Sequence, residues 1–332
     1  MPEQCLVFDL GGTTLRAGLY DPRGDVLRRV ARRRTPSRWT APVASPDEIY
    51  ARVFDEMDDL ARCVLPDARP TIVSLAFPGP IDPAGNALAA PTVLGGPLAA
   101  GLPIRSDLAC RWPDSRVFVL NDLTAAGYRY LRDPDEDFCV VTVSSGIGHK
   151  LFVGGRPLLG SRGRGGEIGH LRVDFSADAP ICDCGAAGHL GAVASGRGAL
   201  ALARRRAARE PEAFRRSALA EEAANEPDGF DTRELVAAYR AGDAWTHTVI
   251  REAARPLGQA LASLHLGVGV ERFVVIGGFA LALGEDYRRE LVAAMAASAW
   301  SLRTDWNAMV ELGVNDDDAG LLGAGRWATR GS

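Results

Sequence analysis

Residues 143–196 read VSSGIGHKLFVGGRPLLGSRGRGGEIGHLRVDFSADAPICDCGAAGHLGAVASG. The stretch holds a glycine-rich turn, an acid near a histidine (Glu167 and His170), and a Cys182-Asp183-Cys184 run followed five residues later by His189. Backbone amides free to approach an anion, side chains able to hydrogen-bond a polyol, and soft metal ligands therefore lie close together in sequence. Each has a bland structural reading on its own. Together, and in this order, they point to a site.

Working outward, the N-terminal segment QCLVFDLGGTTLRAGLY (4–20) reads as a strand, a tight turn and a second strand with alternating apolar residues. Gly11 and Gly12 can aim backbone N–H groups into one concavity, and Thr13 and Thr14 add hydroxyls, so the turn suits a phosphate. Asp9, just before it, suits Mg²⁺. An ordinary β-hairpin is the competing reading of the same turn. The pattern is neither the GxxxxGK[ST] loop nor the GxGxxG fingerprint.

Residues 46–66 carry the spacing of an amphipathic helix, N-capped by Ser45 or Asp47. TIVSLAFPGPID (71–82) reads as a buried strand ending in a Pro-Gly-Pro turn, 83–104 as a loop and 105–113 as a short helix. RVFVLND (116–122) is another buried strand, delivering Asn121 and Asp122 at its carboxyl end, where ligands bind in open α/β sheets. The pair reads equally as a helix N-cap or as a substrate site. Residues 137–160 read as two strands around SSGIGHK, with Ser145 and Gly146 in a second turn able to touch phosphate. Residues 197–225 and 232–266 read as helical, and ERFVVIGGFAL (271–281) as a strand whose Gly277-Gly278 opens a helix, a third place where backbone could approach a nucleotide. In NDDDAGLLGAGRWATR (315–330) aspartates fall in the first turn of a helix.

With 332 residues, 47% hydrophobic and 24% charged, the composition is that of a soluble globular chain large enough for two domains. A net charge of −4 and the lack of a long basic block argue against nucleic acid. No run suits a membrane span, so a cytoplasmic location is expected. Lys150 is the only lysine among 38 basic residues. Of six cysteines, Cys5, Cys63, Cys110 and Cys139 read as small buried hydrophobes, and Cys182 with Cys184 as metal ligands.

The ordered motifs resemble the ROK family of bacterial sugar kinases and sugar-responsive repressors. FDLGGTTLRAGL is similar to its first phosphate motif and LND to its catalytic Asn-Asp. SSGIGHK stands at its GTGIGxG, GGEIGH at its sugar-binding motif, CDCGAAGHLGAVASG at CxCGxxGCxExxxSG, and VVIGGFA at its nucleotide segment. The resemblance implies a two-domain α/β actin-like ATPase (ribonuclease H-like) fold with an interdomain cleft that closes on substrate. The expected division is a small domain of residues 1–120 joined by a C-terminal helix, 316–330, and a large one of 121–315.

It implies Asp122 as general base, Asn121, Glu167 and His170 as ligands of the acceptor's hydroxyls, and Asp9, Gly11, Gly12, Thr13, Thr14, Ser145, Gly146, Gly277 and Gly278 around ATP and Mg²⁺. The expected partners are a polyol and ATP, with no nucleic acid or membrane; a homodimer is left open. The repressor branch carries a helix-turn-helix before the first phosphate motif, which here begins within the first dozen residues, so an enzyme is expected.

Three departures from the family pattern matter. His189 stands at the third cysteine, giving the set His170, Cys182, Cys184 and His189, still suited to a structural Zn²⁺. Gly191 stands where the family has a glutamate that reads the anomeric side of a sugar. His149 and Lys150 replace glycines; contact with phosphate, filling space near the substrate, and pointing to solvent are all open readings. The loss at Gly191 favours an acceptor of the C7-cyclitol (valiolone) type or another modified hexose, phosphorylated on its exocyclic CH₂OH. Glucose, as in a glucokinase, is the alternative, and a non-catalytic sugar sensor is the alternative of another class.

Overall fold

The computed structural model describes residues 4–66, 69–90, 92–95, 97–223, 226–314 and 318–330. The chain forms two compact units: Met1–Pro134 with Gly155–Gly165 and Asp316–Ser332, and Asp135–Gly154 with Gly166–Asn315. The first unit thus extends past 120. The helix Asp122–Tyr130 packs against the helix Ala319–Thr329 and against strands of the first sheet, which keeps it with the residues before it.

The sheet of the first unit runs Val26–Arg34, Thr14–Asp21, Cys5–Leu10, Ile72–Phe77, Arg116–Asn121. The first three strands are antiparallel neighbours, and the last two join Cys5–Leu10 in parallel. Cys5–Leu10 and Ile72–Phe77 are almost wholly buried, as strands covered on both faces must be. The helix Pro46–Val64 lies on the sheet with Ile49, Val53, Phe54, Met57, Leu60 and Val64 inward, the stripe its sequence spacing foretold. Each such side chain adds roughly 1.5–3 kcal/mol of hydrophobic burial. Ser45 closes a capping box with Glu48. The terminal helix is tied to the sheet by the buried Ser74, whose hydroxyl donates to the Ala324 carbonyl at 3.0 Å.

Residues 83–104 are more ordered than the loop expected of them. They contain an antiparallel ribbon of Ala87–Ala89 with Pro97–Leu102, a pairing that Ala/Gly/Pro-rich composition conceals. The terminal helix begins at Ala319 with Asp318 as its N-cap residue, and Asp316 and Asp317 lie outside the described residues.

In the second unit the strands run Ile147–Val153, Phe138–Val143, Phe273–Ile276, Val310–Leu312. The last three are parallel, and the first is an antiparallel partner across the 144–146 turn. Helices Gly196–Arg209, Ala244–Val268 and Glu285–Ser298 contribute buried residues to the same core as these strands. Cys5 and Cys139 are buried as expected, but Cys63 and Cys110 are exposed, because they fall on the outer faces of their helices. Among the described residues no helix is long and apolar enough to cross a membrane.

Candidate active site

Parallel pairing brings the carboxyl ends of Cys5–Leu10, Ile72–Phe77 and Arg116–Asn121 to one edge of the first sheet. Gly11, the Pro78-Gly79 turn and Asp122 emerge there. Asn121 is the N-cap of the helix Asp122–Tyr130: its Oδ1 accepts the N–H groups of Leu123 and Thr124, both at 3.1 Å. Its Nδ2 donates to the Gly79 carbonyl at 3.0 Å and to Asp122 Oδ1 at 2.8 Å. Both amide hydrogens and both carbonyl lone pairs are thereby engaged. A grip on a ring hydroxyl by Asn121 would have to displace one of these bonds. Asp122 Oδ1 also accepts the Leu123 N–H at 2.7 Å, so the carboxylate is fixed in orientation.

Asp9 is the last residue but one of the first strand, 3.4 Å from the guanidinium of Arg16. Burial pushes its carboxyl up to about 7; Arg16 opposes the rise, while Asp122 and Asp318 add to it. A largely buried carboxyl whose charge is disfavoured by two further carboxylates is one that a divalent cation relieves. The adjoining turn closes with the Gly11 N–H donating to the Thr14 carbonyl at 3.0 Å. Thr35 braces it from behind, Oγ1 to the Gly11 carbonyl at 2.7 Å and N–H to the Thr13 carbonyl at 3.0 Å. Neither Arg16 nor Thr35 was singled out in the sequence. Arg16 sits two residues after the turn, and the register Asp9↔Arg16 pairs them across the hairpin, a signal the alternation did contain.

In the second unit, Ser145 and Gly146 follow the strand Phe138–Val143, and Gly277 and Gly278 follow its parallel neighbour Phe273–Ile276. Both glycine turns therefore lie at one edge. Gly277 has φ +97°, and a Cβ there would sit 2.6 Å from the Val143 carbonyl, so the two turns touch only because this residue is glycine.

His149 and Lys150 both turn inward, at 7% and 2% exposure, so the solvent reading fails. His149 Nδ1 accepts the Ile168 N–H at 3.2 Å, and burial pushes its pKa down to about 4, keeping the ring neutral. Lys150 Nζ lies 3.3 Å from Glu167 Oε1. The two residues that replace glycines thus hold the turn that carries Glu167.

His170 follows in a short 3₁₀ turn, Ile168–His170. The Leu190 N–H donates to the Leu171 carbonyl at 2.8 Å and the Val173 N–H to the Gly188 carbonyl at 2.8 Å, which sets His170 against His189. Their Nδ1 atoms are 3.4 Å apart, Cys184 Sγ is 3.2 Å from His189 Nδ1, and Cys182 Sγ is 3.8 Å from His170 Nδ1. All four donors lie within 4.8 Å of one another. Tetrahedral zinc at about 2.0 Å from nitrogen and 2.3 Å from sulfur needs ligand separations of roughly 3.3–3.8 Å. The donor types suit it, and the three separations of 3.4, 3.2 and 3.8 Å lie in or close to that range. An Arg197–Asp183 pair at 2.6 Å fastens the Cys-Asp-Cys turn to the helix Gly196–Arg209.

Gly191 is buried in the turn Leu190–Val193. A Cβ there would lie 3.2 Å from the Gly169 carbonyl, so this position packs directly on the turn between Glu167 and His170.

A family model described as "ROK family" matches residues 5–330. The chain is 40% identical to a protein named C(7)-cyclitol 7-kinase from Streptomyces hygroscopicus subsp. jinggangensis, over 98% of this chain and 94% of that one. A protein named glucokinase from Aeropyrum pernix is 30% identical over 83% of this chain and 81% of its own. Among solved structures, a ROK family glucokinase from Streptomyces griseus in complex with glucose and AMPPNP matches with a TM-score of 0.75 at 24% identity, over 99% of this chain and 100% of that one.

Proposed function

The chain belongs to the ROK family, and on that premise we propose that it is an ATP-dependent kinase acting on the exocyclic primary hydroxyl of a C7-cyclitol. Its fold is of the actin-like ATPase type, and its relatives are kinases of cyclitols and sugars. The observation that carries the reading is the Asp122 carboxylate, pinned by Asn121 and by the N-terminus of its helix at the carboxyl edge of the sheet.

ATP supplies the phosphoryl group, and Mg²⁺ when bound neutralises charge on its oxygens. The chain's own residues do the rest. Asp122 accepts the proton of the acceptor hydroxyl as that oxygen attacks the γ-phosphorus, and the bond from the γ-phosphorus to the β–γ bridging oxygen breaks so that ADP leaves. Asn121 holds the base in place. Asp9 would hold the cation, while the amide of Gly12 and the hydroxyls of Thr13 and Thr14 would face phosphate oxygens, in a turn that the Gly11 N–H closes on the Thr14 carbonyl. Ser145, Gly146, Gly277 and Gly278 form the nucleotide side of the second unit.

Glu167 and His170 read the acceptor's hydroxyls. His170 turns Nδ1 toward the Cys182, Cys184 and His189 donors, which would hold a structural Zn²⁺, and this leaves Nε2 for a hydroxyl. A ring without an anomeric hydroxyl suits Gly191, where the family pattern has a glutamate.

The test is ADP release with Mg·ATP across a panel holding a valiolone-type cyclitol, glucose and N-acetylmannosamine. The expected result is a kcat/KM for the cyclitol at least tenfold above that for glucose, about 1.4 kcal/mol of transition-state binding. A tenfold preference for glucose would make the chain a glucokinase. No ADP release with any acceptor would make it a sensor.

A further inference from the structure

We propose that Lys150 is a positioning residue for the acceptor: its ammonium fixes the Glu167 carboxylate for a hydroxyl of an uncharged ring and sets the site against a ring that bears an ammonium group. The inference rests on Glu167 being an acceptor ligand, and it narrows the substrate class of that same site.

The side chains differ sharply in exposure: Lys150 is 3% exposed and Glu167 is 48% exposed, with Nζ and Oε1 3.3 Å apart. The carboxylate therefore faces outward with a buried cation behind it. A buried ammonium is costly unless a partner compensates it, so such a lysine is retained where its charge is used. Gly166, φ +94°, lies against the lysine: a Cβ there would sit 2.6 Å from Lys150 Cδ and Nζ and 2.7 Å from the His149 carbonyl oxygen, so glycine at this position leaves the side chain its path to Glu167. His149 holds the following amide, at Ile168. Two consecutive side chains of one strand thus set two consecutive positions of the Glu167 turn.

The charge has a chemical consequence. A lone carboxylate would attract a cationic acceptor, offsetting the cost of stripping water from its ammonium. With Lys150 at 3.3 Å the pair is neutral overall and offers no such return. A hydroxyl still gains, because it donates to an oxygen whose direction is fixed.

The test compares wild type, Lys150→Met and Lys150→Arg on a neutral cyclitol and on its ring-aminated analogue. Methionine fills the same space without charge. We expect Lys150→Met to raise KM for the neutral acceptor about tenfold with kcat within about threefold, the split of lost binding rather than lost chemistry. The neutral-to-aminated ratio of kcat/KM should fall at least tenfold, and Lys150→Arg should restore most of it. As the only lysine in the chain, Lys150 also gives a single signal when the protein is made with isotope-labelled lysine. That signal should shift on adding the neutral acceptor and in Glu167→Gln. Unchanged KM and an unchanged acceptor ratio in a folded Lys150→Met enzyme would overturn the proposal, as would a lysine signal indifferent to acceptor. If wild type turns over no polyol at all, it is the kinase reading that fails.

Discussion

Asn121 Nδ2 donates to Asp122 Oδ1 at 2.8 Å while Asn121 Oδ1 caps the helix that Asp122 begins. One side chain therefore serves the stability of a helix and the aim of the neighbouring carboxylate. The two functions can be separated by substitution.

Asp122→Asn should lower kcat by roughly 10²–10⁴-fold, the usual worth of a positioned base, with little change in melting temperature. Asn121→Ala should cost about 1 kcal/mol of stability through the lost cap, and should lower kcat as well because Asp122 is no longer held. Steady-state ADP release and thermal melts on both variants check this. Near-normal turnover in Asp122→Asn removes it as the base.

Protein purified without added metal should carry about one equivalent of zinc by elemental analysis. Cys184→Ser should lose it, lower the melting temperature and weaken acceptor binding, because His170 is then unfixed. Full activity in metal-free protein would count against a structural role for the site.

His149 yields a pH dependence of known sign. Its folded pKa of about 4 lies below the ordinary 6.5, so the unfolded chain binds the proton more readily. The stability from keeping the ring neutral is complete above pH 6.5 and is lost as pH falls toward 4. The loss is of the order of 3 kcal/mol at most. Denaturant titrations at about pH 7 and about pH 4.5 should show a steeper acid loss in wild type than in His149→Gln, whose amide oxygen still accepts the Ile168 N–H. Equal slopes would show that the ring's neutrality is not what the fold relies on.

At Gly191 the geometry makes substitution a double change. Gly191→Glu adds an acceptor and also presses its Cβ on the Gly169 carbonyl, 3.2 Å away. The control is Gly191→Ala, which presses without adding the acceptor. If the missing carboxylate is what disfavours glucose, Gly191→Glu should raise kcat/KM for glucose over Gly191→Ala by about tenfold, the scale of a hydrogen bond to a charged group. Equal values for the two would assign the position to packing.

The sequence by itself carried the ordered motifs. Alternating apolar residues around Gly11 and Gly12 made a hairpin, the spacing in 46–66 made a helix, and the ligand types His170, Cys182, Cys184 and His189 suited zinc. These are local properties, in which neighbouring residues decide the outcome. Only the tertiary structure decided the rest. Whether His149 and Lys150 faced solvent or interior depended on the 166–168 turn crossing them, some twenty residues away. The role of Asn121 depended on the Gly79 carbonyl arriving from another strand. The first unit runs past Asp122 because the terminal helix packs there. Cys63 and Cys110 are exposed because packing uses the opposite faces of their helices. A side chain's direction follows from its own backbone, but its partner is supplied by whatever distant segment the fold brings to it.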